Sequence, residues 1–202
     1  INSEVIAINR DDKTVTVRKT DTDEEYTESY DKLILSPGAR PIAPKLPGME
    51  KVNIFTVRNV VDIDNLNKFI KNMKTKDVAV IGGGFIGVEV AENLRLGGYN
   101  VTLIEASNQI LRPYDYDMVQ IFHKVMLDNK VNLILGDKVE KFEEDKVILA
   151  SGKTIRAGAV VMAVGVSPEI NLAKESGLKI GETGAIKVDK NYLTDDTDIY
   201  AI

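Results

Sequence analysis

A glycine-rich segment near the middle of the chain has the composition and spacing of a phosphate-binding loop. The sequence V-A-V-I-G-G-G-F-I-G-V-E starts at Val78 and contains the pattern G-x-G-x-x-G. Gly82 allows a tight turn from strand to helix, Gly84 lets a pyrophosphate approach the backbone, and Gly87 lets the helix pack closely on the strand. A helix that starts here directs its free N–H groups at the phosphates. The alternative interpretation of the motif is a glycine-rich turn without a ligand. The loop residues predicted to bind a dinucleotide are Gly82, Gly83, Gly84, Phe85, Ile86 and Gly87.

An acidic residue closes the next predicted strand. Glu105 ends the run N-V-T-L-I-E, and a carboxylate at this point of a βαβ unit accepts hydrogen bonds from the ribose hydroxyls of an adenosine. Its charge would repel a 2′-phosphate, and Ala106 and Ser107 follow it with no adjacent arginine to bind one. The sequence therefore predicts NADH in preference to NADPH, with a solvated strand-end carboxylate as the alternative interpretation.

Three further positions are candidates for contact with the nicotinamide half of NADH. Glu89 lies on the first turn of the helix after the loop, where the helix dipole stabilises a carboxylate with or without a ligand. Val164 and Gly165 end a later apolar run, and small residues there let the nicotinamide half pass. The alternative explanation for Glu89 is that its charge only stabilises the helix start. The alternative explanation for Gly165 is that it is a plain turn glycine.

The chain shows no residue set that would reduce a substrate directly. His123 is the only histidine; it lies beside Phe122 on a helix where we expect partial exposure and no catalytic role. No tyrosine is followed four residues later by lysine, and neither a Ser/His/Asp set nor a metal-ligand cluster is present. We therefore predict no catalytic residue and no metal site in this chain, and expect the hydride to pass to a second cofactor.

The apolar patterns predict an α/β fold with a parallel sheet, helices and a β-meander. Val78–Ile81, Phe85–Leu96 and Asn100–Ile104 form a strand–helix–strand unit, and Gly97-Gly98 ends the helix. The other predicted strands are Glu4–Ile8, Thr14–Arg18, Glu25–Tyr30, Leu33–Ser36, Val131–Leu135, Val160–Val164, Ala185–Val188 and Asp198–Ile202, with a meander over Lys138–Arg156. The other predicted helices are Asn59–Met73, Asp117–Asp128 and Leu172–Ser176.

Helical spacing also predicts which side chains of two of these helices face the interior. In the helix over Asn59–Met73 they are Val60, Ile63, Leu66 and Ile70. In the helix over Asp117–Asp128 they are Met118, Phe122, Val125 and Met126.

Two stretches of the chain are similar to each other. L-I-L-S-P-G-A-R-P begins at Leu33 and V-V-M-A-V-G-V-S-P begins at Val160, which aligns Gly38 with Gly165. The second stretch has a glycine-rich loop upstream, whereas the first has none because the chain begins at Ile1. We therefore expect a fragment of a protein with two dinucleotide-binding domains. Its parts are a partial first domain over 1–42, an NAD(H)-binding Rossmann-like domain over 43–168, and a return segment of the first domain over 169–202.

The composition excludes several classes of partner. The chain has 202 residues, is 44% hydrophobic and 28% charged, and carries a net charge of −5. That charge and the scattered basic residues argue against nucleic acid. No stretch approaches the roughly 20 apolar residues that span a bilayer, and no signal peptide is visible. The absence of cysteine excludes disulfides and thiolate metal sites in this chain. We expect a small-molecule substrate and a cytoplasmic location.

These motifs together resemble the pyridine nucleotide-disulfide oxidoreductases, flavoproteins with two dinucleotide-binding domains. The resemblance covers essentially the whole chain: Y-D-K-L-I-L-S-P-G-A-R-P at Tyr30–Pro41, the Gly82 loop with Glu89, and T-D-D-T-D-I-Y-A-I at Thr194–Ile202. The S-P-G-A form and G-V-S-P-E-I-N-L-A-K-E-S-G-L from Gly165 are most similar to the branch with coenzyme A-disulfide reductases, persulfide reductases and NADH oxidases or peroxidases. Glu169 stands where many relatives carry asparagine.

The resemblance implies an NADH-dependent, FAD-containing oxidoreductase. NADH would pass hydride to the flavin, and a redox cysteine outside this chain would carry electrons to a disulfide, a persulfide, a peroxide or oxygen. It also implies a homodimeric full-length protein. The chain alone would bind NADH weakly, would not hold FAD stoichiometrically and would have no turnover. The residues that the resemblance places on the FAD side are Ser36, Pro37, Gly38, Arg40 and Asp198.

Two other classes of function stay open. The full protein could be a reductase that hands electrons to a ferredoxin or rubredoxin, which a charged docking face and a missing redox cysteine would favour. Alternatively, the chain could be a non-catalytic NAD-sensing module whose oligomeric state changes with NADH.

Overall fold

The computed structural model describes residues 2–202, which fall into two compact units. The first unit is discontinuous in sequence and comprises residues up to Arg40 together with Ser167–Ile202. The second unit is the continuous segment Pro41–Val166. The chain therefore passes from one unit to the other twice.

Residues 2–202 form β-strands, α-helices and a 3-10 turn. The strands are β1 (Ser3–Asn9), β2 (Thr14–Lys19), β3 (Glu25–Ser29), β4 (Leu33–Leu35), β5 (Ala39–Pro41), β6 (Ile54–Thr56), β7 (Asp77–Ile81), β8 (Asn100–Glu105), β9 (Asn132–Leu135), β10 (Val139–Glu143), β11 (Lys146–Leu149), β12 (Thr154–Arg156), β13 (Ala159–Met162), β14 (Val166–Pro168) and β15 (Ile199–Ala201). The α-helices are α1 (Val60–Lys71), α2 (Phe85–Leu96), α3 (Tyr116–Asp128) and α4 (Asn171–Glu175), and a 3-10 turn covers Met49–Lys51.

A five-stranded parallel sheet forms the centre of the Pro41–Val166 unit. Its strand order is β6-β13-β7-β8-β9, and β7, β8 and β9 are joined in sequence by α2 and α3. A parallel pair needs such a crossover connection, and both faces of the sheet are then covered. The predicted α/β fold with a parallel sheet is confirmed.

The pleat of β7 shows how the sequence covers both faces of this sheet. Successive strand residues point to opposite faces, so a strand buried on both sides is a continuous apolar run. Val78 and Val80 pack into the cluster that includes Leu66, Ala91 and Leu94 of the helices. Ala79 and Ile81 pack on the other side, against a core shared with the meander β10-β11-β12, which contains Phe142, Val147 and Leu149.

The other unit has its own small core. The antiparallel sheet β1-β2-β3 and the parallel pair β15-β4 are its main elements. The buried residues that form this core are Ile8, Leu35, Ala173, Leu178, Ile199 and Ala201. Ile34 in the middle of β4 is 64% exposed, so only part of the run Leu33–Ser36, predicted as a short strand, is buried.

The two similar stretches end in equivalent hydrogen bonds. The carbonyl oxygen of Gly38 accepts from the N–H of Glu169 at 2.9 Å, and that of Gly165 accepts from the N–H of Ile42 at 3.0 Å. Both glycines have positive φ, 71° and 124°, a conformation that glycine adopts at little cost. The repeat found in the sequence is therefore also a repeat of local backbone structure.

Two of the predicted helix faces are wrong in part. In α3 the prediction holds for Met126, but the other interior side chains are Val119 and His123, whereas Met118, Phe122 and Val125 are exposed. In α1 the prediction holds for Leu66 and Ile70 but not for Val60, which is 82% exposed, or Ile63. His123, expected to be partly exposed, is 7% exposed.

The predicted strand Ala185–Val188 is not formed. The structure has only an isolated antiparallel bridge between Ile180 and Ile186 in this region. The segment pairs too briefly for a ladder because Gly184, with φ of 80°, turns the chain directly before it.

Candidate dinucleotide-binding site

Gly82 and Gly87 make the turn after β7 compact. Gly82 has φ of +107°, and a Cβ built on it would lie 2.3 Å from the carbonyl oxygen of Ala163. A Cβ on Gly87 would lie 1.9 Å from the carbonyl oxygen of Gly82, so α2 approaches the turn too closely for a side chain. These are the two steric roles that the motif predicts for its first and third glycines.

Gly84 is in the opposite situation. A Cβ built on it would meet nothing within 4 Å, so open space lies directly over the backbone at this position. Gly84 is the N-cap of α2 and supplies no side-chain hydrogen bond to the helix start. The first N–H groups of a helix have no partner within it, and the partial positive charge there favours an anion. Phe85 and Ile86, which follow, are exposed, so the loop presents open backbone where a pyrophosphate would lie.

Both carboxylate oxygens of Glu105 accept hydrogen bonds, and one of these bonds comes from the glycine-rich loop. Oε2 accepts from the backbone N–H of Gly83 at 2.7 Å. Oε1 accepts from the backbone N–H of Ser107 at 2.8 Å and from its hydroxyl at 2.6 Å. A carboxylate has about four acceptor sites. Glu105 can therefore accept a further hydrogen bond from a ribose hydroxyl. Alternatively, a ribose hydroxyl can replace the Ser107 hydroxyl as a donor to the carboxylate.

The environment of Glu105 favours its ionised form. Burial acts to raise the pKa of this half-buried carboxyl, but the hydrogen bonds from Ser107 and Gly83 and the positive charge of Arg112 outweigh it and lower the pKa. Arg112 was missed in the sequence because only the residues adjacent to Glu105 were considered. The fold brings a guanidinium within electrostatic range of the carboxylate from a turn farther along the chain.

A cavity of about 270 Å³ lies at the carboxyl ends of the central strands, on the Glu105 side of the loop. Its lining includes Gly82, Glu105, Ala106, Asp137 and Lys138. In open α/β sheets ligands bind at this edge, so the cavity is placed for the adenosine half of a dinucleotide.

A larger groove of about 600 Å³ lies between α1 and α2. Its lining includes Ile86 and Glu89 from the start of α2 and Arg58 and Ile63 from the start of α1. It is larger than the Glu105 cavity, and its lining does not include Glu105. Glu89 is exposed here, so its carboxylate is accessible to a ligand that follows the start of α2.

Val164 and Gly165 follow β13, next to the loop. The backbone nitrogen of Val164 lies 3.0 Å from the Cβ position of Gly82, and both residues after the strand are exposed. A Cβ on Gly165 would lie at an ordinary 3.7 Å from Ile42 Cδ1, so its φ of +124°, and not crowding, selects glycine. The structure thus brings Gly82, Glu105 and Val164 to one edge of one sheet.

The residues predicted on the FAD side lie in the other unit. Ser36 and Gly38, directly after β4, are exposed, and Arg40 Nε donates to Ser167 Oγ at 3.3 Å. Asp198, directly before β15, forms ion pairs with Lys13 and Lys32. Their hydrogen bonds lower the pKa of the Asp198 carboxyl. Contact of Ser36, Pro37, Gly38, Arg40 and Asp198 with a flavin remains a prediction.

His123 is a buried structural group. Burial lowers its pKa, so the neutral imidazole is favoured. Its Nε2 accepts from the backbone N–H of Ile110 at 3.3 Å, which leaves Nδ1–H to donate to Gln120 Oε1 at 3.3 Å. Its burial, which the sequence did not predict, follows from this backbone contact.

Metal coordination and membrane insertion are two other possibilities for residues 2–202. No three His, Asp or Glu side chains in this range are grouped so that they could hold a metal ion. No helix in it combines the length and apolar character that a membrane span requires.

The turn, the open helix start and the strand-end carboxylate together define a dinucleotide-binding protein of the Rossmann-like class. Comparison with known proteins assigns the family: residues 1–202 match the pyridine nucleotide-disulphide oxidoreductases, and the chain belongs to this family. The resemblance found in the sequence is therefore confirmed.

Individual relatives agree with this assignment. The chain is 37% identical over 199 residues to a coenzyme A disulfide reductase of Staphylococcus aureus (strain JH9). The aligned residues cover 98% of this chain and 45% of the relative. The crystal structure of reduced CoADR-RHD of Bacillus anthracis matches with a TM-score of 0.95 and 46% identity over 99% of this chain and 36% of that one. A water-forming NADH oxidase from Lactobacillus brevis, bound to NADH, matches with a TM-score of 0.88 and 32% identity, over 99% and 45%. The chain thus spans about half the length of the curated relatives it matches.

Proposed function

We propose that this chain is the NADH-binding part of an FAD-dependent oxidoreductase. NADH lies along Gly82–Gly87 with its adenosine ribose on Glu105, and its hydride passes to a flavin and on to a disulfide, a persulfide, a peroxide or oxygen. The observation that carries the proposal is the open space over Gly84 at an uncapped helix start, beside a fixed and ionised Glu105. The Staphylococcus aureus relative favours coenzyme A disulfide as the acceptor.

The two units have different parts in this proposal. Pro41–Val166 is the NAD(H)-binding domain, since it contains the loop, Glu105 and both cavities described above. The first unit is a portion of the FAD-binding domain, with Ser36, Pro37, Gly38, Arg40 and Asp198 on the flavin side. Its glycine turn repeats that of the NAD(H) unit, which supports a second dinucleotide site.

The proposal extends to the cellular setting. Enzymes that reduce disulfides with NADH work where thiols are kept reduced, and this supports a cytoplasmic location. The full-length protein is a homodimer that takes a small-molecule substrate, and the flavin supplies the two-electron step between NADH and that substrate. Within this chain the residues bind and orient the nucleotide and carry no proton-transfer role.

Gly84 offers a direct test, because its backbone is not in a strained region. With φ of −74° and ψ of −177° an alanine is accommodated there, and the open space means that its methyl group meets no protein atom. The methyl group would instead occupy the path of the pyrophosphate. We expect the Gly84→Ala variant to keep its unfolding midpoint and to bind NADH at least about tenfold more weakly, which corresponds to about 1.4 kcal/mol.

Binding is measured by nicotinamide fluorescence on titration with NADH and, in parallel, NADPH. Gly181→Ala is the matched control, since its Cβ would meet Ala185 O at an ordinary 3.6 Å and the residue lies outside the NAD(H) unit. Saturable binding of NADH by the wild-type chain and by Gly181→Ala, lost in Gly84→Ala, supports the proposal. Equal NADH affinity for Gly84→Ala and the wild type would contradict it.

A further inference from the structure

A strained turn lies against the glycine-rich loop. Leu111 has φ of 48°, in the left-handed region, which is unfavourable for a branched apolar residue. Such a conformation persists only where its surroundings fix it. Leu111 is 4% exposed, its N–H donates to the carbonyl oxygen of Gly83 at 2.7 Å, and its carbonyl oxygen accepts from the N–H of Tyr114 at 2.9 Å.

The neighbouring residue of the turn also contacts the loop. Ile110 is completely buried, and its Cγ2 lies 2.7 Å from the position that a Cβ on Gly83 would occupy. The same Gly83 donates its N–H to Glu105 and offers its carbonyl oxygen to Leu111. Gly83 is therefore held on one side by the ribose-binding carboxylate and on the other by the turn.

The turn packs against Val119 and Met126 of α3 and also receives a hydrogen-bond acceptor from this helix. The backbone N–H of Ile110 donates to His123 Nε2 at 3.3 Å, and His123 is oriented by Gln120 on the preceding turn of the helix. Both the ring and the N–H are buried, so water cannot replace the acceptor without opening the contact.

We infer that His123 is a positioning residue of the nucleotide site, which holds the Ile110–Leu111 turn against Gly83 and so fixes the loop in the conformation that binds the pyrophosphate. This inference rests on the proposed function of the Gly82–Gly87 loop. The inference goes beyond the proposed function because it assigns an indirect role to a side chain in α3 that touches no ligand.

The effect on affinity follows from the population of the binding-competent loop. Removing the acceptor leaves the Ile110 N–H buried without a partner and favours conformers in which the strained turn relaxes away from Gly83. The apparent affinity falls in proportion to the fraction of molecules that keep the competent loop. We expect His123→Leu to weaken NADH binding about tenfold, a loss typical of one unpaired buried N–H.

A rescue variant separates positioning from packing. His123→Gln retains a side-chain oxygen that can accept from Ile110, so its NADH affinity should lie within about threefold of the wild type. Lys124→Met is the control on the same helix, because Lys124 is exposed and pairs with Asp128, a residue of this helix, at 2.6 Å. The unfolding midpoint of each variant is measured alongside, so that a lower folded fraction is not taken for weaker binding.

Amide hydrogen exchange provides a readout that needs no ligand. The Leu111 amide should exchange faster in His123→Leu than in the wild type and in His123→Gln, because the turn opens more often. If no variant binds NADH but this difference is found, the proposed function fails and the role of His123 in holding the turn stands. If the wild type binds NADH and His123→Leu binds it equally well, or if Leu111 exchange is unchanged, the inference is overturned.

Discussion

Glu105 accepts a hydrogen bond from the backbone N–H of Gly83 at 2.7 Å, which joins the end of β8 directly to the glycine-rich loop after β7. The carboxylate that would bind the ribose is thus part of the structure that shapes the phosphate site. Substituting Glu105 removes a ligand contact and also a bond of the loop. The consequences for specificity and for stability therefore have to be measured separately.

The nucleotide preference should reverse when the charge at this position is reversed. Glu105→Arg removes the acceptor for the ribose hydroxyls and the repulsion of a 2′-phosphate, and it adds a guanidinium beside the one already supplied by Arg112. We expect NADH affinity to fall about tenfold, because one charged hydrogen bond is lost. We expect NADPH affinity to rise, because a charged hydrogen bond to the 2′-phosphate is gained. Parallel fluorescence titrations measure both constants. An unchanged ratio of the two would show that Glu105 does not contact the ribose.

Glu105 should also contribute to acid sensitivity. Its pKa is lowered in the folded chain, so the unfolded chain binds more protons as the pH falls, and stability decreases with it. The contribution of Glu105 to stability is complete above the ordinary pKa of 4.5. It is lost as the pH falls through the lower pKa of the carboxyl in the folded chain. Between about pH 6 and about pH 3.5 the wild type should lose more stability than Glu105→Gln. Urea midpoints at each pH measure this, and parallel curves for the two proteins would exclude such a contribution.

The sequence predicted the parts of the site that depend on local spacing. Gly82, Gly84 and Gly87 are fixed relative to one another by a strand–turn–helix, and Glu105 by the end of the next strand, so a linear pattern is sufficient to locate them. Arg112 and Leu111 were missed because their proximity to Glu105 and Gly83 depends on the path of a turn. No local pattern specifies that path.

The error in α3 has a physical cause. Met118, Phe122 and Val125 have the same helical spacing as Val119, His123 and Met126, and the two sets differ by a rotation of one residue. The first set is entirely apolar, and the predicted face combined it with Met126 of the second set. The second set is buried because Val119 and Met126 pack into the core with Ile110 and Leu111, and His123 accepts from the backbone N–H of Ile110, a contact that hydropathy does not represent.

The first glycine of the motif should contribute strongly to the stability of the fold, in contrast to Gly84. Gly82→Ala would place a methyl group 2.3 Å from the carbonyl oxygen of Ala163 at a φ of +107°, so both the backbone and the neighbouring strand end must shift. We expect a loss of about 2 kcal/mol or more in the free energy of unfolding, measured by urea titration. Gly181→Ala, in ordinary contact, serves as the control. A Gly82→Ala variant as stable as this control would show that the turn adapts freely.

The start of α1, which lines the larger groove, depends on a reciprocal cap. Asn59 Oδ1 accepts from the N–H groups of Val61 and Asp62 at 2.9 and 3.2 Å, and Asp62 Oδ2 accepts from the N–H of Asn59 at 3.1 Å. This capping box satisfies donors that the helix leaves unpaired. Asn59→Ala should lower the free energy of unfolding by about 1 kcal/mol, whereas Asn65→Ala, exposed within the same helix, should be neutral or slightly stabilising.

A double-mutant cycle tests whether the two halves of this cap act together. Asp62→Ala removes the return bond, so the combined variant should lose less stability than the sum of the two single variants, because each substitution already breaks the shared motif. Strict additivity would show that Asn59 caps α1 alone. Because Arg58, adjacent to the cap, lines the groove with Ile86 and Glu89, the same variants also report whether an ordered α1 start is needed for NADH binding. Weaker binding by Asn59→Ala but not by Asn65→Ala would show that the nicotinamide half extends into this groove.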